Sequence, residues 1–255
     1  MVETMKASSS SLPLKSIDAL VLAGGMGTRT ASILDKTPKL LAPLAGRPYL
    51  DYLVDWLGRY GVRRMVLSLG HLAEEILRFL HSQPYPNMEM VPVVETMPLG
   101  TLGGIAHSRS QIHSDPALVV NGDTYIDADL GLFLDFHRSR NFGASLICTK
   151  VEDAARYGRV EIDQDGAILA FREKQLESQA AGYISGGVYL LNAGDLDRIV
   201  SIGTGSIEHD FFSVQSPSTL GGFAGDFQFI DFGTPESIRD AQEFFATRVK
   251  RSDQS

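Results

Sequence analysis

The sequence predicts an α/β fold with a single doubly wound, mainly parallel sheet. Across the first third of the chain, short apolar runs typical of buried strands alternate with amphipathic segments at helical spacing. Glycine-rich turns follow apolar runs, at the position where open α/β sheets bind their ligands. With 255 residues, 44% of them hydrophobic, the chain can bury one large core. We therefore expect one domain over residues 17–248, after a disordered leader formed by residues 1–16.

Composition excludes several classes of protein. A formal net charge of −8, without any block of Lys and Arg, argues against a nucleic-acid polymer as partner. The single cysteine, Cys148, excludes a disulfide within one chain, and its apolar surroundings predict a buried, inert thiol. The leader lacks the apolar core of a secretory signal, and no segment approaches the ~18 apolar residues of a membrane span. We expect a cytoplasmic protein that does not bind membranes.

Local signals place the elements in order. Residues 19–22 predict a first buried strand, and Pro48 and Gly61 bound an amphipathic helix. Further strands are predicted over residues 64–69, 88–94, 117–121, around Cys148, 182–190 and 227–231. Further helices are predicted over residues 73–80, from the second glycine-rich turn to about Ser110, over 129–139 and from Thr234 onward. Two short strands around an Asp-Gly turn at residues 165–166 predict a hairpin.

The glycine-rich loop after the first strand is a candidate phosphate site. Gly24, Gly25 and Gly27 let the main chain approach a ligand, so that successive N–H groups converge on phosphate oxygens. Arg29 adds a guanidinium whose fixed set of donors suits phosphate oxygens, and ten residues later Lys39 follows Pro38. Neither the dinucleotide fingerprint nor the Walker loop fits this segment, and a tight structural corner is the alternative.

Two aspartates end apolar strands. Asp123 follows the strand over residues 117–121, and Asp231 ends the strand over residues 227–231. Ligands of open α/β sheets sit at the carboxyl ends of strands, so both carboxylates are placed where a metal ion or a ribose binds. An aspartate that only satisfies a turn is the alternative.

Longer motifs extend over nearly the whole chain. From Ile17 to about Phe245 the sequence contains, in order, G-G-x-G-T-R, P-K, P-L-G-T, G-D, F-x-E-K, G-G-V-Y, S-x-E-x-D-x-F and D-x-G-T-P. This set resembles the sugar-1-phosphate nucleotidyltransferases. The resemblance implies a Rossmann-like, GT-A-like nucleotidyltransferase fold with a small β-hairpin insertion at the sugar side. It also implies transfer of a nucleotidyl group from an NTP to a sugar 1-phosphate.

The same resemblance implies roles for individual residues. The residues implied to bind the NTP are Leu22, Ala23, Gly24, Gly25, Gly27, Thr28, Glu95, Leu99, Gly100, Thr101 and Gly122. Those implied to bind the sugar phosphate are Tyr157, Gly158, Glu173, Gly187, Val188 and Glu208. The implied catalytic residues are Arg29, Lys39, Asp123, Lys174 and Asp231. Of these, Asp123 and Asp231 are implied to hold Mg²⁺.

The substrates follow from a narrower similarity. P-K-x-x-A-P-x-A-G-R-P, N-G-D-T-Y and R-Y-G-x-V are most similar to the branch of the family that transfers GMP to a heptose 1-phosphate. This implies GTP and a heptose 1-phosphate as substrates. Mannose 1-phosphate, or another hexose or amino-sugar 1-phosphate, is the alternative. The oligomeric state is open, with a homodimer as one possibility.

Two other functional classes stay open. A non-catalytic NDP-sugar sensor with this fold would tend to lose a cation or a metal aspartate, and none is missing here. A metal-dependent glycosyltransferase would use a D-x-D motif, for which Asp127 and Asp129 are candidates. That triplet opens a predicted helix, so an N-cap explains it more simply. We assign no catalytic role to His137 or His209.

Overall fold

The computed structural model describes residues 12–27, 30–34, 37–154, 157–172, 181–215 and 219–252. The strands are β1 Ala19–Ala23, β2 Pro43–Leu44, β3 Arg47–Pro48, β4 Arg64–Leu69, β5 Glu89–Val94, β6 Ala117–Asn121, β7 Thr124–Ile126, β8 Ala144–Val151, β9 Arg159–Ile162, β10 Ile168–Arg172, β11 Gly182–Leu191, β12 Leu220–Gly225 and β13 Phe229–Asp231. The helices are α1 Ala31–Leu34, α2 Tyr49–Arg59, α3 Ala73–Ser82, α4 Gly100–Ser108, α5 Leu130–Arg140, α6 Ala193–Ile202 and α7 Pro235–Ser252. Lys39–Leu41 and Arg109–Gln111 form 3-10 turns, and Ile207–Phe212 form a π-helix.

A nine-stranded sheet organises the molecule. Its main path is β10-β9-β11-β6-β1-β4-β5, and β8 pairs with β11 and with β12. Strands β6, β1, β4 and β5 run parallel to one another, as the alternating pattern predicts. Beyond β6 the direction changes, because β11 runs antiparallel to both β6 and β8. The predicted α/β fold class is confirmed.

Alternating side chains of the central strands enter two hydrophobic cores, one on each face of the sheet. Val21 of β1 packs into the core that receives α2, α3, α5 and α7. Its neighbour Leu20 packs into the opposite core, with α4, α6 and the π-helix. Because successive side chains of a strand point to opposite faces, a fully apolar strand requires helices on both sides. The sheet is therefore doubly wound.

The chain is ordered earlier than the sequence predicts. Residues 12–16, assigned to a disordered leader, include a turn that packs on the end of α2. The Leu14 side chain is 1% exposed, and its N–H donates to the Tyr60 carbonyl oxygen at 2.9 Å. One buried leucine thus anchors residues 12–16 on the domain. Residues 1–11 lie outside the described part of the chain.

Several smaller features differ from or extend the sequence analysis. The strand ending at Asp231 does not join the main sheet, since β13 pairs with β7 in a separate two-stranded sheet. The sequence analysis did not predict strand β12 or helix α6. The hairpin is confirmed as the antiparallel pair β9–β10, and Cys148 is fully buried, with the pKa of its thiol raised by burial. No helix in the described part of the chain is long and apolar enough to cross a membrane.

Candidate active site

A cavity of about 420 Å³ lies at the carboxyl ends of β1, β4 and β6. Every described residue that the sequence analysis assigned to the NTP lines it. These are Leu22, Ala23, Gly24, Gly25, Gly27, Glu95, Leu99, Gly100, Thr101 and Gly122. Thr28 lies outside the described residues. The structure therefore brings together segments as far apart in the chain as Leu22 and Gly122.

Two glycines of the loop after β1 occupy positions that do not suit a residue with a side chain. A Cβ at Gly24 would lie 2.6 Å from the Glu95 Oε1, and Gly27 has a φ of +59°. A side chain at Gly24 would therefore collide with the carboxylate. At Gly27 the left-handed backbone favours glycine over residues with a Cβ. These two constraints place the loop directly against the cavity.

Glu95 is a nearly buried carboxylate at the wall of the cavity. Its residue is 9% exposed, and its Oε1 accepts a hydrogen bond from the Ser68 Oγ at 2.8 Å. Its Oε2 accepts a longer bond from the Leu99 N–H at 3.4 Å. A carboxylate has about four acceptor positions, so two bonds leave it with free acceptor capacity. Glu95 can therefore accept further hydrogen bonds from a ligand in the cavity.

Ser68, which supports Glu95, was missed by the sequence analysis. It belongs to β4, where the sequence Met65-Val66-Leu67-Ser68-Leu69 is otherwise apolar. A hydroxyl at the carboxyl end of an apolar strand was the signal that could have identified it, because a buried polar group needs a partner. His71, Leu72, Ile76 and Asn121 also line the cavity and were not predicted.

Lys39 and Asp123 form an ion pair in the same cavity. The Lys39 Nζ lies 2.8 Å from the Asp123 Oδ2, and the two side chains are 22% and 36% exposed. A partly solvated pair of this kind contributes little stability, so the Lys39 ammonium can turn toward an incoming phosphate at small cost. Arg29, the second predicted cation of this region, lies outside the described residues.

Asp231 is brought next to Asp123 through the main chain. The Phe232 N–H donates to the Asp123 carbonyl oxygen at 2.9 Å. The Asp231 carboxylate is bonded within its own surroundings. Its Oδ1 accepts from the Gly233 N–H at 2.7 Å, and its Oδ2 accepts from the Tyr157 hydroxyl. Asp231 does not line the cavity. The structure thus places the two aspartates on neighbouring segments but engages one of them in a local network.

Helix α7 begins with an N-cap that is not Asp231. The Thr234 Oγ1 accepts from the Ser237 N–H at 3.2 Å, which is the bond that an N-cap side chain makes. Thr234 therefore caps this helix. The Asp231 Oδ1 also contacts the Ser237 Oγ at 3.3 Å, so Asp231 supports the cap from outside the helix.

The residues predicted to bind the sugar phosphate are not enclosed by the cavity. Tyr157 is bonded to Asp231, Gly187 packs against Asn121, and the Glu208 Oε1 accepts from the Tyr189 hydroxyl at 3.1 Å. Gly158 has a φ of +86° at the start of the hairpin, and Val188 is buried in β11. Glu173 and Lys174 lie outside the described residues.

Two segments of the site are bonded to each other. The Gly205 N–H donates to the Leu99 carbonyl oxygen at 3.0 Å, and the Leu102 N–H donates to the Gly205 carbonyl oxygen at 2.9 Å. The Ile207 N–H donates to the Thr101 Oγ1 at 2.9 Å. We call this set the 99–207 ladder. It joins the start of α4, in the cavity wall, to the segment that carries Glu208.

The family is decided by comparison with known proteins. The protein-family model described as "Nucleotidyl transferase" matches residues 18–248. The chain belongs to the nucleotidyl transferase family. The D-glycero-alpha-D-manno-heptose 1-phosphate guanylyltransferase of Aneurinibacillus thermoaerophilus is 31% identical over 89% of this chain and 97% of its own length. The mannose-1-phosphate guanylyltransferase of Mycobacterium tuberculosis is 31% identical over 87% of this chain and 62% of its own length.

A solved structure agrees with the family assignment. The crystal structure of HddC from Yersinia pseudotuberculosis complexed with GMP-PN is 31% identical to this nucleotidyl transferase and has a TM-score of 0.78. The match covers 90% of this chain and 99% of that chain. The fold and the family are therefore supported independently by sequence and by structure.

Nucleotidyl transferases of this family use divalent metal ions, and the donor set here fits one. Asp123 presents its carboxylate in the cavity, and Asp231 lies on the neighbouring segment with its carboxylate bonded to Gly233 and Tyr157. No cluster of three metal-ligating side chains exists among the residues that the structure describes. A small divalent cation can be held by one or two carboxylates when phosphate oxygens and water complete its shell.

The D-x-D motif of the glycosyltransferase alternative is structural. The Asp129 Oδ1 accepts from the Gly131 N–H at 2.8 Å and from the Leu132 N–H at 3.1 Å, so Asp129 is the N-cap of α5. Asp127 is paired with Arg248. Neither aspartate lines the cavity. The two aspartates of this D-x-D motif therefore have structural partners and do not face the cavity, as a glycosyltransferase metal site would require.

Proposed function

We propose that this nucleotidyl transferase transfers the guanylyl group of GTP to a sugar 1-phosphate, forming a GDP-sugar and pyrophosphate. The proposed sugar substrate is a heptose 1-phosphate, with mannose 1-phosphate as the second candidate. The observation that carries the proposal is the Glu95 carboxylate, held by Ser68 at the wall of the cavity. The names of the relatives from A. thermoaerophilus and M. tuberculosis, and the GMP-PN complex of HddC, support it.

The chemistry of a carboxylate favours guanine among the nucleobases. Guanine presents two adjacent donors, the N1–H and the 2-amino group, and a carboxylate accepts from both at once. Adenine and cytosine present one amino group beside a ring-nitrogen acceptor, which repels the second oxygen. Uracil and thymine present one N–H between two carbonyl acceptors. A bidentate contact with Glu95 therefore discriminates for GTP against the other nucleotides.

The proposed reaction is an in-line attack by a phosphate oxygen of the sugar 1-phosphate on the α-phosphorus of GTP. The bond between that phosphorus and the bridging oxygen of the β-phosphate breaks, and pyrophosphate leaves with the electron pair. The attacking oxygen is already anionic, so no general base is required. Catalysis consists of positioning two polyanions and neutralising their charge.

In the proposed mechanism, different cationic residues bind the phosphates of the two substrates. Lys39, freed from Asp123, contacts the phosphates beside the reacting phosphorus, and Arg29 holds the leaving pyrophosphate. Lys174 holds the incoming sugar phosphate. Asp123 and Asp231 would hold Mg²⁺, which would lower the charge on the phosphate oxygens.

Pyrophosphate release tests the proposal. The assay combines GTP, ATP, CTP, UTP or dTTP with Mg²⁺ and with heptose, mannose, glucose or N-acetylglucosamine 1-phosphate. The expected result is the highest kcat/KM for GTP with heptose 1-phosphate, since discrimination is a ratio of these values. An equal or higher kcat/KM with UTP or dTTP would contradict the choice of base. Tight binding of GDP-sugars without any pyrophosphate release would favour the sensor class instead.

A further inference from the structure

Tyr189 of β11 lies at the centre of a buried polar cluster between the two sides of the site. Its ring is fully buried, and its hydroxyl donates to the Glu208 Oε1 at 3.1 Å. The Asn121 Nδ2 lies 3.5 Å from the same hydroxyl oxygen. The Tyr189 hydroxyl has one proton to donate and lone pairs to accept with, so it can bond both partners at once. We call these residues the Tyr189 cluster.

The direction of each bond in the Tyr189 cluster is fixed by chemistry. A carboxylate only accepts, so the Tyr189 proton must point to Glu208. The hydroxyl oxygen then has to accept from Asn121, and only the amide nitrogen of Asn121 can donate. This orientation leaves the Asn121 Oδ1 without a hydrogen-bond partner among the described residues, although the atom is buried. A buried acceptor without a partner is costly unless a ligand satisfies it.

The position of Asn121 connects this free acceptor to the substrates. Asn121 ends β6, lines the cavity and is separated from Asp123 by Gly122 alone. On its other side, the register of β11 against β8 shifts between Ser185 and Tyr189. Within that bulge Gly187, with a φ of +70°, packs so closely that a Cβ would lie 2.8 Å from the Asn121 Nδ2. A bulge of this kind redirects side chains beside a site.

We infer that the Asn121 Oδ1 and the Glu208 carboxylate together accept hydrogen bonds from hydroxyl groups of the sugar 1-phosphate, and that Tyr189 is the positioning residue that holds both acceptors. This inference rests on the proposed function. The Asn121 amide and the Glu208 carboxylate are bonded to the same phenol oxygen, through the Asn121 Nδ2 at 3.5 Å and the Glu208 Oε1 at 3.1 Å, so their remaining acceptor oxygens lie close enough to meet hydroxyls of one sugar ring.

Tyr189→Phe tests the positioning role, because it removes one oxygen and keeps the packing. The expected result is a rise of roughly tenfold in KM for the sugar 1-phosphate, with KM for GTP unchanged, the size expected for one lost hydrogen bond to a charged group. Tyr52→Phe is the matched control. Tyr52 is also buried, donates to the Leu44 carbonyl oxygen at 3.0 Å and lies on α2 outside the cavity, so both KM values should stay at the wild-type level.

Monodeoxy sugar 1-phosphates test which group Asn121 contacts. One analogue, lacking the hydroxyl that Asn121 accepts, should react more slowly than the parent sugar with the wild-type enzyme. With Asn121→Leu the parent sugar and that analogue should react equally, because the contact is already absent. If Asn121→Leu does not fold, the same comparison is made with Tyr189→Phe, for which the penalty of the analogue should shrink.

The outcomes separate this inference from the proposed function. Wild-type turnover together with an unchanged KM for the sugar in Tyr189→Phe would overturn the inference and leave the function intact. A rise in KM for GTP alone, or a penalty confined to 2′-deoxy-GTP, would assign Asn121 to the ribose and would also overturn it. Absence of turnover with every sugar 1-phosphate would refute the function, and this inference with it.

Discussion

The two sides of β6 use different means to form a site. On the side of β1 and β4 the strands are parallel, their carboxyl ends meet, and loops enclose a cavity of about 420 Å³. On the side of β11 the strands are antiparallel, and the predicted sugar residues are connected through side-chain hydrogen bonds instead of a cavity. Under the proposed function, the nucleotide is recognised by a preformed cavity and the sugar by the orientation of a few polar side chains. Substitutions on the two sides should therefore separate effects on GTP from effects on the sugar.

The largest effect is expected where the two sides meet, at Asp123 and Asp231. Asp→Asn keeps the size and one acceptor but removes the charge, so each single variant should lose roughly a hundredfold or more in kcat, the scale of losing one preorganised electrostatic contact. Because both are proposed to act on one metal, the double variant should be little worse than either single variant. Steady-state rates over a Mg²⁺ titration measure this. Near-normal Mg²⁺-dependent turnover of Asp231→Asn would show that Asp231 serves only its network with Tyr157 and Gly233.

A change on the cavity side should alter the choice of base. Glu95→Gln replaces one acceptor oxygen by a donor, so kcat/KM for GTP should fall by roughly ten- to a hundredfold, the cost of losing a charged hydrogen bond in a buried site. The ratio of kcat/KM for GTP to that for ATP should fall with it, while KM for the sugar 1-phosphate stays constant. An unchanged ratio would mean that Glu95 only supports the loop at Gly24.

A change on the opposite side should affect only the sugar. Lys174→Ala removes the cation that the sequence places after the hairpin, and we expect KM for the sugar 1-phosphate to rise roughly tenfold or more, the size of one charge-assisted contact. KM for GTP should change little. An equal rise in both KM values would make Lys174 a general phosphate contact, and the separation between the two sides would fail at this residue.

A smaller effect is expected from the residue that holds Glu95. Ser68→Ala leaves the carboxylate in place without its 2.8 Å hydrogen bond, so we expect a loss of about three- to tenfold in kcat/KM for GTP. Ser108→Ala is the matched control. Ser108 is equally buried, lies on α4, and its Oγ has no hydrogen-bond partner within the described ranges, so its removal should leave the kinetics unchanged.

The smallest effect concerns stability on the antiparallel side. His137 is buried between the Ser145 Oγ at 2.8 Å and the Asn192 Oδ1 at 2.9 Å, and burial lowers the pKa of its imidazole below the ordinary 6.5. Below pH 6.5 the unfolded chain therefore binds a proton that the folded protein excludes. The free energy of unfolding should fall as the pH drops from 6.5 toward the folded pKa, by at most about 1.4 kcal/mol per pH unit.

Urea unfolding at pH 7.5 and pH 5.5 measures this contribution. His137→Gln should flatten the difference between the two pH values, because the titrating group is gone. His113→Gln, at an exposed position, serves as the control and should keep the wild-type difference. Equal pH dependence of His137→Gln and the wild-type protein would show that other groups govern acid sensitivity.

The contrast between the two sides also explains what could be predicted from sequence. Parallel strands such as β1 and β4 are recognised from continuous apolar runs, and the cavity residues follow because such strands place their carboxyl ends at one edge. Strand β13 has a similar apolar pattern, yet it pairs with β7 outside the main sheet, since local composition does not determine a pairing partner. Ser68, Asn121 and Tyr189 were missed for a related reason. Their roles depend on partners from distant segments, and such contacts leave no periodic signal in the chain.

The 99–207 ladder has a consequence for redesign of this enzyme. Gly100 and Gly205 are so close that a Cβ on Gly100 would lie 2.3 Å from the Gly205 carbonyl oxygen, and main-chain bonds connect Leu99 and Leu102 to Gly205. The cavity wall and the segment that carries Glu208 are therefore closely packed and joined by main-chain hydrogen bonds. Grafting either segment alone from a relative with another nucleotide or sugar would break this fit and leave buried amides unpaired. Exchanging both segments together keeps these contacts, so base preference and sugar preference are expected to be transplanted as a linked pair.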